Sequence, residues 1–159
     1  LRISEIAVSY PFSPFLTGTY DIRFISYLCI PTMADIFISY SSKDCQQAEQ
    51  LIELLVSAGL SVWIDKSGID IATSWSKEIV QAIDNCKALL VLLSPNSVVS
   101  VNVAKEVSLA AEQKKKILPL DIEPVELTDD LRYHLAGIKR APMTNIDSII
   151  RALGKLGIE

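Results

Sequence analysis

The residue in this chain best placed to do chemistry is Glu106. It lies three residues after Val103 and four before Ala110, so helical spacing sets its carboxylate on the stripe formed by Val103, Val107 and Ala110. An ionised group on a stripe meant for the core is costly to bury. A partner within the helix would relieve that cost, but positions 102, 109 and 110 are Asn, Leu and Ala and none is basic. Glu106 therefore either pairs across the fold, reaches out to water, or is kept for function. Glu112, with Lys115 and Lys116 within helical reach, reads as an ordinary surface acid.

Other chemistries are poorly supplied. His134 is the one histidine, in a polar stretch with no cysteine beside it, which argues against a metal or triad role. Cys29, Cys45 and Cys86 are odd in number and never at C-x-x-C spacing. No disulfide framework or zinc site is expected, and reduced thiols in the cytoplasm fit best. With net charge -4 and scattered Lys and Arg, no basic face for nucleic acid is expected. The Lys114-Lys115-Lys116 run reads as a solvated helix end feeding a strand. The longest apolar run, Ala88 to Leu93, falls far short of the roughly 20 residues of a membrane span.

The elements that must carry Glu106 come next. At 159 residues, half of them hydrophobic, the chain suffices for one domain with a real core. Residues 1–32 keep no period for long and are broken by Pro11, Pro14, Gly18 and Pro31. They are expected to be an extension, poorly ordered or foreign to the domain that begins near Met33 and runs to Glu159. From there short β-rich runs alternate with helical spacing. Ile36 to Tyr40 is a strand. Ser41 and Asp44 have capping-box spacing. A helix carrying Ala48, Leu51, Ile52 and Leu55 ends at Gly59. Further strands are expected at Ser61 to Ile64, Leu89 to Leu93, Ile117 to Ile122 and, weakly, Ile138 to Ala141. The helices between them begin near Trp75 and Val103, and Thr144 is expected to cap the last. Five alternations predict a three-layer, flavodoxin-like α/β sandwich: a five-stranded parallel sheet, order 2-1-3-4-5, with helices on both faces.

Ligands of such sheets lie beyond the carboxyl ends of the strands, so the loops after Tyr40, Ile64 and Leu93 decide the chemistry. After the first strand the sequence is Ser41-Ser42-Lys43-Asp44-Cys45. It has neither the glycines of a dinucleotide fingerprint nor a Walker A loop. A phosphorelay receiver would need Asp where Ser94 stands. The commonest occupants of this architecture are excluded.

An ordered set of motifs then resembles the TIR (Toll/interleukin-1 receptor) domain of the bacterial soluble type. It comprises Asp35-Ile-Phe-Ile-Ser-Tyr-Ser-Ser-Lys-Asp44, Gly59-Leu-Ser-Val-Trp-Ile-Asp65, Trp75-Ser-Lys-Glu-Ile79 with Ala82-Ile83, Leu92-Leu-Ser-Pro-Asn-Ser97, Glu106, Ile117-Leu-Pro119 and Leu131-Arg-Tyr-His-Leu-Ala-Gly137. The resemblance spans about residues 34 to 157, and its specificity lies in the order of the set.

The resemblance implies one of two functions. Many bacterial and plant members hydrolyse NAD+ to nicotinamide and ADP-ribose or a cyclic ADP-ribose, once assembled; others are adaptors that only associate. The family's catalytic glutamate stands in a W-x-x-x-E pattern on the third helix. Glu106 matches it, and Asn102 stands in place of the Trp. The resemblance makes Tyr40, Ser41, Asp65, Trp75 and Asn102 substrate-binding candidates. Trp75 would stack on a substrate ring or anchor its helix, and Asn102 would hydrogen-bond the carboxylate. Gly68, Asp70 and Ile71 would form the BB-loop contacts of a TIR–TIR assembly; Ala72 stands where many bacterial members have Gly. No metal or cofactor is implied, since NAD+ is the substrate. A nucleoside glycosyltransferase of similar layering is a third reading.

Overall fold

The computed structural model of the protein describes residues 34–64 and 75–158. The expected extension, residues 1–32, lies outside the described residues, as do Asp65, Gly68, Asp70, Ile71 and Ala72.

Five strands form one parallel sheet, β1 (Ile36–Ser39), β2 (Val62–Ile64), β3 (Ala88–Leu93), β4 (Lys116–Asp121) and β5 (Ala141–Pro142), in the order β2-β1-β3-β4-β5. The register runs Ile36↔Val62 and Ser39↔Val91, with Leu93↔Asp121 across the β3–β4 pair. This is the predicted flavodoxin-like order. The apolar runs β1 and β3 are wholly buried, as strands covered on both faces must be.

Strand alternation divides the core. Ile36, Ile38, Leu90 and Leu92 face one cluster, completed by Ala48, Leu51 and Leu55 of α1 (Cys45–Ser57) and by Ile149 and Leu153 of α5 (Ile146–Gly154). Phe37, Leu89, Val91 and Leu93 face the other. There they meet Ile83 of α2 (Trp75–Asn85), Val103, Val107 and Ala110 of α3 (Val101–Glu112), and Leu131 and Leu135 of α4 (Asp129–Leu135). Phe37 stacks on Trp63 with ring centroids 4.8 Å apart, joining β1 to β2.

The helix ends follow from local chemistry. Gly59, at φ 85°, closes α1. Its N–H donates to Val56 O and the Leu60 N–H to Leu55 O, which is the Schellman pattern that satisfies orphan carbonyls. Ser100 caps α3 by accepting from the Val103 N–H at 3.4 Å.

Several expectations shift. Asn145, not Thr144, caps α5, its Oδ1 accepting from the Ser148 N–H at 3.2 Å; Asn is the stronger N-cap. The fifth strand is confined to Ala141–Pro142, because Gly137, at φ 78°, turns the chain after α4 and Ile138 packs on the α2–α4 side. The seven-residue α4 was not expected. Glu112 ends α3, so helical pairing with Lys115 and Lys116 cannot form. Lys115 instead donates to the Asp84 and Cys86 carbonyls at 2.7 and 3.0 Å, where a cation suits the end of α2.

Candidate functional site

The strand order creates the site. After β1 the chain crosses to β2 on one side, then returns past β1 to β3 on the other, which makes the carboxyl ends of β1 and β3 a topological switch point. Glu106, on α3, is buried there with 6% of its surface exposed. The stripe that carries it also carries the buried Val103, Val107 and Ala110, as the sequence spacing required.

Across from it stands Ser39, the last residue of β1. Alternation turns Ser39 to the same face as Phe37, the face covered by α3. Its hydroxyl donates to Glu106 Oε2 at 2.5 Å. Ser39 was not among the residues singled out from sequence. The available signal was parity: a small hydroxyl residue on the Phe37 face of a strand whose other members are large and apolar.

The neighbouring residues divide between the two faces. Tyr40, half-buried, packs against the α1–α5 cluster. Ser41 is buried and caps the 3-10 turn Ser42–Asp44, accepting from the Lys43 N–H at 3.4 Å. Asn102, on the first turn of α3, is exposed, whereas Ser39, inside the fold, is a donor to Glu106. Trp75 is the first residue of α2.

A second buried carboxylate lies at the same end of the sheet. Asp44, 4% exposed, makes no side-chain cap to α1, so the capping-box reading of Ser41 and Asp44 is corrected. Its oxygens turn inward instead. Oδ2 accepts from the Ser94 hydroxyl at 2.5 Å and Oδ1 from the Asn96 amide at 2.7 Å. Ser94 Oγ also accepts the N–H groups of Asn96 and Ser97, at 3.1 and 3.0 Å. Ser94, which excluded a phosphorelay site, thus ties the loop after β1 to the loop after β3. The capping spacing gave no sign of this, because the partners are 50 residues apart.

A third acid, Asp121 at the end of β4, is held by Arg140. The guanidinium donates to both carboxylate oxygens and to Val125 O. This planar fork fastens the loop after β4 to the chain entering β5.

The fold and site together define a flavodoxin-like domain whose switch point carries a buried carboxylate in place of a phosphate loop. A family model described as TIR domain matches residues 36–154, and the chain belongs to that family. Solved structures agree in fold. The TIR domain of the Toll-related receptor TRR-2 from Hydra magnipapillata is 20% identical, with 76% of this chain and 91% of that one covered and a TM-score of 0.59. A metazoan TIR-STING receptor from C. gigas, in complex with 2',3'-cGAMP, is 23% identical over 77% of this chain and 40% of its own, with a TM-score of 0.61. BcmB, a CMP N-glycosidase from Clostridium botulinum, is 18% identical over 76% of this chain and 98% of its own, with a TM-score of 0.53. A search of curated proteins found no match. No helix among the described residues is long and apolar enough to cross a membrane.

Proposed function

We propose that this TIR domain hydrolyses NAD+ at the nicotinamide–ribose bond, in the cytoplasm, as part of a signalling or antiphage defence response. The observation that carries the reading is a carboxylate buried at the switch point, on the stripe of α3 that otherwise serves the core. Burial of that group costs stability, and nothing about the fold requires an acid there. The likeness to an N-glycosidase acting on CMP fits the same bond class, a base leaving from a ribose carbon.

The chemistry asks little more of the protein. Nicotinamide leaves as a neutral base from a cationic ring, so no strong acid is needed. The bond between ribose C1′ and the ring nitrogen breaks, with its electron pair going to nitrogen. C1′ acquires oxocarbenium character, as in glycoside hydrolysis. The Glu106 carboxylate stabilises that positive charge and orients the ribose hydroxyls. Water then bonds to C1′ and releases a proton, giving ADP-ribose; attack by the adenine base instead gives a cyclic product. Tyr40, Ser41, Asp65, Trp75 and Asn102 are the proposed substrate contacts. A second protomer, reached through Gly68, Asp70 and Ile71, is proposed to complete the site, so specific activity rises with protein concentration.

The second reading is a TIR–TIR adaptor without turnover, favoured by Asn102 in the place where the family pattern has Trp. Nicotinamide release from NAD+ decides between them. The full chain is assayed over a wide concentration range, with and without a crowding agent, beside Glu106→Ala. Release that climbs with concentration and is lost in the variant is expected. Folded protein that releases none under any condition makes the domain an adaptor.

A further inference from the structure

We infer that Ser39 is the positioning residue for the Glu106 carboxylate, a role that rests on the hydrolase reading above. Three observations meet at this pair. Ser39 is 1% exposed, so its hydroxyl must find its partner inside the protein rather than in water. That partner is Glu106 Oε2, 2.5 Å away and 67 residues distant in sequence. Lastly, the donor sits on an interior strand: β1 is flanked by β2 and β3, and Ser39 is paired in register with Val91.

Glutamate is a poor instrument for electrostatic catalysis unless it is held. Its side chain has three rotatable bonds, and stabilising an oxocarbenium-like centre requires the carboxylate to be in place before charge develops. A hydroxyl fixed to a central strand pins one carboxylate oxygen relative to the sheet. Ser39 thereby acts on the transition state through Glu106 and not through the substrate. Its loss is expected to appear in kcat and not in KM.

The test uses the full chain with NAD+ as substrate and nicotinamide release as the readout, with folding checked by circular dichroism. Ser39→Ala removes the donor and leaves a small space; Ser39→Thr keeps the hydroxyl. The expected result is a fall in kcat of roughly 10- to 100-fold for Ser39→Ala with KM within about threefold of wild type, and recovery of most of kcat in Ser39→Thr. A folded Ser39→Ala protein with wild-type kcat overturns the positioning role while leaving Glu106 as the reacting group. So does a Ser39→Ala defect confined to KM. If Ser39→Ala fails to fold, Ser39→Thr decides: folded, it must keep kcat within a few-fold of wild type, and a loss as large as that expected for Ser39→Ala overturns the role. Absence of turnover in the wild-type chain removes the hydrolase reading and this role together, which separates the two failures.

Discussion

The two faces of the sheet each bury an apolar cluster, but the two clusters end differently. Toward α1 and α5, the side chains of Ile36, Ile38, Leu90 and Leu92 meet leucines, isoleucines and an alanine from the helices. Toward α2, α3 and α4, a similar cluster around Phe37, Val91 and Val107 gives way at the carboxyl end of β1 to Glu106 and Ser39. The first arrangement shows what the fold needs to be stable. The second departs from it at one point, the topological switch point between β1 and β3. A carboxylate placed against stability at a switch point is a sign of function, because neither the hydrophobic effect nor secondary structure asks for it.

That contrast breaks most sharply at Glu106. Glu106→Gln keeps the shape and removes the charge, and its turnover is expected to fall at least about 100-fold. Its melting temperature is expected to stay level or rise, since a buried charge has gone. A variant that keeps wild-type nicotinamide release would end the assignment. Leu51→Ala probes the opposite face. Leu51, on the inner face of α1, is 1% exposed, and truncation should cost about 2–5 kcal/mol in urea unfolding. Turnover per folded molecule should remain near wild type. Were it to fall as far as in Glu106→Gln, the division of labour between the faces would not hold.

Asp44 sharpens the comparison, being a buried acid at the same end of the sheet with a different use. Both of its oxygens are taken by Ser94 and Asn96, which makes it a brace between two loops. Ser94→Ala removes one donor from Asp44 and the acceptor shared by the Asn96 and Ser97 amides. A loss of about 1–3 kcal/mol is expected from these buried, unmatched groups. Urea midpoints for Ser94→Ala and wild type test it, and coincident curves would show that water replaces the serine.

How much of this could be read from sequence depended on the range of the signal. The strand order was legible because short β-rich runs alternate with helical spacing and the crossover rule leaves few topologies. Gly59 was legible because a left-handed helix end is a one-residue requirement. Glu106 announced itself by interrupting a helical stripe. Helix α4 did not, since its seven residues bury only Leu131 and Leu135, too few to show a period. Ser39 depends on strand parity, and parity turns on a boundary that sequence leaves uncertain by a residue or more. The Asp44 brace was invisible because its partners meet only after the sheet has formed. The Asp121–Arg140 fork likewise needs β4 and β5 to be neighbours.

The smallest expected effect concerns Cys86 and Cys45, the thiols among the described residues, which fall on different sides of the core boundary. Cys86 is buried against the α2–α4 cluster and donates its S–H to Ile83 O at 3.2 Å. Burial, above all, pushes its pKa up, against a lowering by Lys115. The exposed Cys45 is also raised, by burial first and then by Glu49. For Cys86 the sign follows from proton counting. Above the ordinary thiol range the unfolded chain has lost its proton while the folded chain still holds it. The folded state is therefore fully favoured at lower pH and loses ground as pH rises, by at most about 1.4 kcal/mol per pH unit. Urea unfolding of wild type and Cys86→Ala between about pH 8 and pH 9.5 isolates this contribution from other titrating groups, because those are common to both proteins. The wild-type stability curve should fall more steeply than that of the variant. Parallel curves would mean that water reaches the folded thiol, and that the α2–α4 face is looser around Cys86 than its packing implies.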